Sequence, residues 1–452
     1  MINISVLDVA KATGGILIGN PDVYINGVSI DSREIRANNL YIPIIGENND
    51  GHTFIKDVIK KKASCFLFQK DHERPLDIRV PYIIVQNTTK ALQDLASYYI
   101  KTINPFVIAI TGSNGKTSAK DMMCSIMSCK YKTAKTLGNH NNEIGVPLSI
   151  LGFDSDIKCA VIEMGVEHEH DINFLSSIVR PNVSLITSLG SAHISHFKHG
   201  IKDIAKAKLE IYSNLTSGGY MFYNGESQEL DEELENILED HKDAYAFGKG
   251  TGLYIDGDIK YDRGYTRFSC SMLHKEVAIK VLGKHQATNA LGCIGIALKE
   301  GISEKDIISA LKKTEFADMR CKVIKIKDAY IIDDSYKSNP ESAKAAIDSL
   351  NEFDGLKKIV CLGDMLDLGS KEIKLHKQIG EYIKSINNID KVVCYGELSE
   401  YIAKINDGEF FTDKQDCIKF LSKYLKRRAV ILVKGSRALN MDEIVSALKG
   451  DK

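Results

Sequence analysis

Residues 106–121, FVIAITGSNGKTSAKD, join an apolar run to a glycine turn and then, without a spacer, to an amphipathic segment. Phe106 to Ile110 predict a buried strand. Gly112 and Gly115 let the backbone turn back with its N–H groups inward, and Lys116-Thr117 open a helix whose N-terminus favours anions. Strand, glycine turn, Lys-Thr and helix in this order make a phosphate cradle, with Lys116 on the β and γ phosphates and the Thr117 hydroxyl on magnesium. Thr111, Gly112, Ser113, Asn114, Gly115, Lys116, Thr117 and Ser118 are therefore the candidate ATP-binding run. The general pattern G-x-x-x-x-G-K-[ST] departs at its first glycine, which is Ile110 here, so the turn begins at Thr111-Gly112.

A chain of 452 residues exceeds one ordinary core and implies about three domains. Its 44% hydrophobic and 26% charged content is that of a soluble globular protein. Lys plus Arg number 59 against 60 Asp plus Glu, so no global field selects nucleic acid or membrane, and anionic ligands must be held by local groups. The opening MINISVLDVAKATGG lacks a basic segment and a long apolar one, and no later run approaches the ~18 residues of a membrane span, so a cytoplasmic protein is expected. Ten scattered cysteines without a C-x-x-C predict buried thiols rather than disulfides or zinc ligands.

Organisation follows from the alternation of apolar runs and helical periodicity, which predicts an α/β protein. Residues 1–102 hold short strands such as CFLFQ and YIIVQ and end before Asn104-Pro105, giving a small α/β N-terminal domain. Residues 103–315 carry the phosphate loop and the runs AVIEMG, VSLIT and GYMFY, a central parallel sheet. Residues 316–452 repeat the alternation through AYIIDD, KIVCLGD, KVVCYG and AVILVKGS, a C-terminal doubly wound, Rossmann-like sheet. Ligands in such sheets bind beyond the carboxyl ends of the strands, where Glu163 and His193 fall.

T-G-S-N-G-K-T resembles the phosphate loop of the Mur ligase family, ATP-dependent amide-bond ligases of peptidoglycan precursor synthesis, and other segments match that family in order along the whole chain. Asp31-Ser32-Arg33 and Gly46-Glu-Asn-Asn-Asp50-Gly51-His52-Thr-Phe54 resemble its uridine-holding turn and loop, although Asn39 stands where a glycine usually precedes the next strand. Ser, Asp and Arg in one turn can equally satisfy each other. Asn139, Asn142 and the following Glu143-Ile-Gly145-Val-Pro147 resemble a segment lining the junction of sugar and phosphates, and Asn142 can equally cap a helix. Asn289 resembles an adenine-facing asparagine.

The resemblance implies magnesium ligands at Thr117, Glu163, His193 and Lys208, the last as a possible carbamylated lysine, and a catalytic role for Lys116, His193 and Lys208. His168, His170, His196 and His199 also lie nearby, but no cysteine pair or H-E-x-x-H supports zinc. In the last domain the resemblance puts Arg320 and Asp334 near ATP, and Tyr336 and Asn339 near substrate. The stretch Asp333-Asp334-Ser-Tyr336-Lys337-Ser-Asn339-Pro340-Glu-Ser342 is similar to the D-D-x-Y-N-A-N-P-x-S of the branch that joins D-alanyl-D-alanine to UDP-N-acetylmuramoyl-tripeptide, with Lys337 in place of an asparagine. An amide from a carboxylate requires activation, and the branch uses ATP to make an acyl phosphate. A sister ligase adding another amino acid, or a non-catalytic ATP-binding regulator on this fold, is the alternative. A monomer is expected, with hinges near residues 102–105 and 314–320.

Overall fold

Five β-sheets organise the computed structural model, which describes residues 1–73, 78–191, 193–237, 243–262 and 264–450. In the first domain, Asn3–Ser5 pairs antiparallel with Tyr24–Asn26. Beside this ribbon a five-stranded sheet runs in the order Ile16–Ile18, Tyr82–Val85, Cys65–Gln69, Leu40–Tyr41, Val28–Ser29, antiparallel only at its first pair. Asn39 has a structural duty here: its side chain accepts from Arg36 N (3.0 Å) and donates to Asn26 O (2.6 Å), tying the turn before Leu40 to the ribbon.

The second domain carries a six-stranded, wholly parallel sheet in the order Ala244–Phe247, Tyr220–Asn224, Val183–Ile186, Phe106–Thr111, Cys159–Glu163, Thr133–Lys135. Its central strands read as unbroken apolar runs because helices cover both faces. Helices Lys116–Met127 and Lys284–Lys299 share one of those cores through Ala119, Met122, Met123, Ala287, Ala290 and Leu291. Ile255–Asp262, Tyr265–Cys270 and Val277–Ile279 form the antiparallel strands expected of the aromatic stretch after residue 244. The third domain has six strands in the order Lys322–Ile326, Ala329–Asp334, Ala429–Lys434, Lys357–Gly363, Lys391–Tyr395, Glu409–Phe411, parallel except for the first pair.

The domains are joined unequally. Helix Thr88–Ile103 closes the first domain, yet its Leu92, Leu95, Ala96 and Tyr99 belong to the same apolar cluster as Val146, Ile150, Leu175 and Ile178 of the second. Tyr99 OH donates to Phe153 O at 2.8 Å, and Gln93 Nε2 to Glu143 O at 3.1 Å. Residues 102–105 are thus the left-handed Asn104 cap of a packed helix followed at once by a strand, which is not the free hinge expected there. Among the described residues no helix is long and apolar enough to cross a membrane, and every cysteine is a free thiol.

Candidate active site

Parallel register assembles the site. Glu163 pairs with Ile110, the residue before the glycine turn, so the last side chain of one strand stands beside the loop that leaves its neighbour. Glu163 Oε2 accepts from Thr117 Oγ1 at 2.8 Å and its Oε1 from Asn141 Nδ2 at 2.9 Å. The turn itself admits only glycine: Gly112 has φ +149°, and a Cβ there would lie 2.0 Å from Thr187 Oγ1. Lys116 Nζ donates to Gly112 O at 2.7 Å, folding over the loop.

Lys120, one helical turn after Lys116, is an addition to the set expected from sequence. It is 2% exposed, lies 3.2 Å from Glu163 Oε2 and donates to Gly138 O at 2.8 Å. Burial pushes the Glu163 carboxyl up, but Lys120 and then Lys116 hold it below the ordinary range, so it stays ionised. Its one trace in the sequence is the i, i+4 spacing from Lys116, which sets two lysines on one helix face but does not show that the second is buried. Burial drives the Lys116 ammonium down to about 8, against the pull of Glu163 and with the push of Lys337 and Arg320.

From the third sheet, Asp334 and Lys434 sit side by side in register and pair at 2.6 Å, with Lys434 1% exposed. Removing Asp334 would strand the buried Lys434 ammonium, at roughly 3–5 kcal/mol. Asp334 Oδ1 also accepts from Cys321 N at 3.1 Å, and the Arg320 guanidinium lies 4.3 Å from the centre of the Tyr336 ring. Lys337 crosses to the second domain, its Nζ 2.6 Å from His193 Nε2. Burial, and next Lys337, push His193 down to about 3, so the ring is neutral and accepts that bond.

These groups enclose a cavity of about 370 Å³ between the second and third domains, within the roughly 300–1,000 Å³ of small-molecule pockets. Ser113, Asn114, Gly115, Lys116, Thr117 and Ser118 line it on one side, with Asn139, Glu163 and His193; Arg320, Asp334 and Tyr336 line it on the other. His285 and Gln286, which sequence reasoning passed over, line it too, and Gln286 Oε1 is buried without a partner. Thr111 and Gly112 lie beneath the loop, and buried Asn289 stands behind Gly115.

Other expected residues lie outside the cavity lining. Asn142 accepts from Gly145 N at 2.8 Å, the helix-capping alternative read from sequence. Asn339 caps helix Pro340–Asp348 through a capping box with Ser342, and its Nδ2 donates to Asn114 Oδ1 at 2.9 Å. Asp31, Ser32 and Arg33 form a turn in the first domain, where Arg33 pairs with Asp31 at 2.6 Å and Lys61 donates to Ser32 O. The hydrogen bonds from Arg33 hold the Asp31 carboxyl down at about 2.

The donors fit magnesium at one place and not at another. Thr117 and Glu163 offer hard oxygen ligands beside the phosphate loop, the chemistry that ion prefers. His193 does not fit through Nε2, which Lys337 engages, and Lys208 would fit only as a carbamate, because an amine offers no anionic oxygen. Lys208 is 1% exposed, and burial, then Lys116 and Lys337, push it well below its ordinary value. Among the described residues the one cluster with metal-ligating spacing is Asp50, His52 and His72 in the first domain. There His52 Nε2 accepts from Gln69 N at 3.1 Å, so Nδ1 carries the proton and donates to Asp50 at 2.7 Å, the wrong tautomer for a ligand.

Three family models match the chain: the Mur ligase family catalytic domain over residues 24–100, the Mur ligase middle domain over 110–297, and the Mur ligase glutamate ligase domain over 319–437. The chain is 32% identical to the UDP-N-acetylmuramoyl-tripeptide–D-alanyl-D-alanine ligase of Haemophilus influenzae and 33% identical to that of Bacillus subtilis, covering 99% of both chains in each case. It is similar to the crystal structure of MurF from Acinetobacter baumannii, with a TM-score of 0.91 and 27% identity over 100% of this chain and 99% of that one. It shares its fold with MurF ligase from Thermotoga maritima in complex with ADP, at a TM-score of 0.82 and 24% identity over 94% and 97% of the chains.

Proposed function

The chain belongs to the Mur ligase family, and we propose that it joins D-alanyl-D-alanine to the peptide carboxylate of UDP-N-acetylmuramoyl-tripeptide at the expense of ATP, in peptidoglycan precursor synthesis. The observation that carries the reading is the cavity itself, in which a phosphate loop and a strand-end carboxylate face the Asp334–Tyr336 turn of another domain. The full-length likeness to two ligases of that name supports the choice of substrates.

ATP binds with its phosphates in the 111–118 turn, where Lys116 swings from Gly112 O onto the β and γ groups. Thr117 and Glu163 would hold magnesium, which neutralises phosphate charge when bound. An oxygen of the acceptor carboxylate forms a bond to the γ phosphorus, and the β,γ-bridging bond breaks with its electron pair leaving on ADP. The amine of D-alanyl-D-alanine then attacks the acyl carbon, the acyl C–O bond breaks as phosphate departs, and the proton lost from nitrogen ends on that phosphate. Arg320 and Lys116 stand where the spread negative charge of both steps would be met. Lys208 is the candidate for carbamylation: burial, then Lys116 and Lys337, push it towards the neutral amine, the form that takes up carbon dioxide. The uridine is assigned to the first domain around Asp31–Arg33 and Asp50–His52.

The test is ADP formation by the purified protein against a panel of nucleotide-peptide acceptors and amine donors. Turnover with UDP-N-acetylmuramoyl-tripeptide and D-alanyl-D-alanine, and not with single amino acids, is expected. Turnover with an amino acid alone would indicate a sister ligase, and nucleotide binding without any turnover a regulator.

A further inference from the structure

Lys337 is the only residue whose side chain carries a positive charge from the third domain onto His193 of the second among the described residues. Its place is fixed from behind. Lys337 O accepts from Lys434 Nζ at 2.8 Å, and Lys434 is itself held by Asp334, so a buried ion pair sets where residue 337 leaves the sheet. From there the side chain is exposed to the cavity and reaches across it. A lysine nitrogen only donates, so the His193 Nε2 lone pair, on the ring nitrogen that faces the third domain's Lys337, is used by it at 2.6 Å. Lys208 and Lys116 are close enough to feel the same charge. A divalent ion brought to His193 would have to displace an ammonium and then sit among cations.

We propose that the Lys337 ammonium stands in this protein in place of a second metal ion, so that the site works with one divalent ion, at Thr117 and Glu163, and receives its other charge only when the third domain docks. The proposal rests on the ligase reading above. Lys337 moves no proton; it balances the charge of the transferring phosphoryl group, and of a carbamate on Lys208 where one forms.

The count of bound metal tests this directly. Full-length protein saturated with the non-hydrolysable analogue AMP-PCP is titrated with Mn²⁺, and free ion is read by electron paramagnetic resonance. One tightly bound Mn²⁺ per complex is expected for the wild type, and a second in Lys337→Asn and in Lys337→Gln. Turnover of both variants should fall about tenfold at low magnesium and recover as magnesium is raised. Two ions in the wild type, or one in wild type and variants alike, would overturn the proposal while leaving the ligase reading intact. Failure of the wild type to take up AMP-PCP would remove both.

Discussion

Among the described residues Lys116 makes one hydrogen bond, to Gly112 O, and otherwise faces the cavity near Glu163, so its loss should cost chemistry far more than folding. Lys116→Ala is expected to lower ATP turnover by at least about 100-fold with an unchanged thermal midpoint, measured by ADP release and by calorimetry. His285 makes the opposite kind of contribution. Burial pushes its ring down to about 4, with Asp334 opposing and Lys434 assisting. The folded value lies below the unfolded one near 6.5, so the unfolded chain binds more protons between those values. Stability is therefore fully retained above about pH 6.5 and is lost as pH falls towards 4. His285→Gln should flatten that acid limb in urea melts at pH 4.5, 5.5 and 7; an unchanged slope would mean that the ring is not buried neutral. Lys116, Thr117 and Glu163 were legible because their roles follow from a local strand–turn–helix grammar. Lys120 and Lys434 were not, since a lysine reads as a solvated side chain until its buried carboxylate partner is known, and those partners lie 43 and 100 residues away. Lys337 was visible as a departure, but its contact with His193 spans 144 residues.

The phosphate loop is tight because two other elements close against it. Gly115 has φ +79°, and a Cβ there would fall 2.0 Å from Asn289 Nδ2 on helix Lys284–Lys299. Asn289 thereby supports the loop from behind, a duty the adenine-facing expectation did not include. Gly115→Ala must move either the loop or the helix, and the affinity for AMP-PCP should fall about 10- to 100-fold by isothermal titration, which is about 1.4–2.7 kcal/mol. Unchanged affinity would show that the loop yields freely. The strands and their order of domains could be read from apolar runs, since a parallel sheet covered on both faces needs them. Turns were harder: Asp31-Ser-Arg33 is compatible with ligand binding and with self-satisfaction, and in the folded chain Asp31 and Arg33 form a pair that must loosen or be shared if a uridine is to be gripped there.

Where the molecule can bend follows from what lies between its domains. The first two share one apolar cluster, with helix Thr88–Ile103 wedged across the boundary, so separating them would expose Leu92, Leu95 and Tyr99 together with Ile150 and Leu175. The third meets the second around the cavity through small polar contacts, Asn339 with Asn114, Glu341 with Ser191 at 2.9 Å, Lys337 with His193, and Asp367 O with Ser195 Oγ at 3.2 Å, and beside it through Leu282 and Tyr261, which pack into the third domain's apolar cluster. Water can replace the polar contacts at little cost, and the apolar part of this interface is smaller than the cluster that joins the first two domains. Motion is therefore expected at residues 314–320 rather than at 102–105. An acyl phosphate must be kept from water, and docking the third domain over the phosphate loop would both complete the cation set and close the cavity. Small-angle scattering should accordingly show a mixture of extended and compact forms for the free protein, and a smaller radius of gyration once AMP-PCP and UDP-N-acetylmuramoyl-tripeptide are bound together. The double variant Asn339→Ala, Glu341→Ala should need more of both ligands to reach the compact form, because it loses contacts made only when the domains meet. If the free protein already has the compact radius, and the variant matches it, the third domain is docked permanently and ligands must enter through the mouth of the cavity instead.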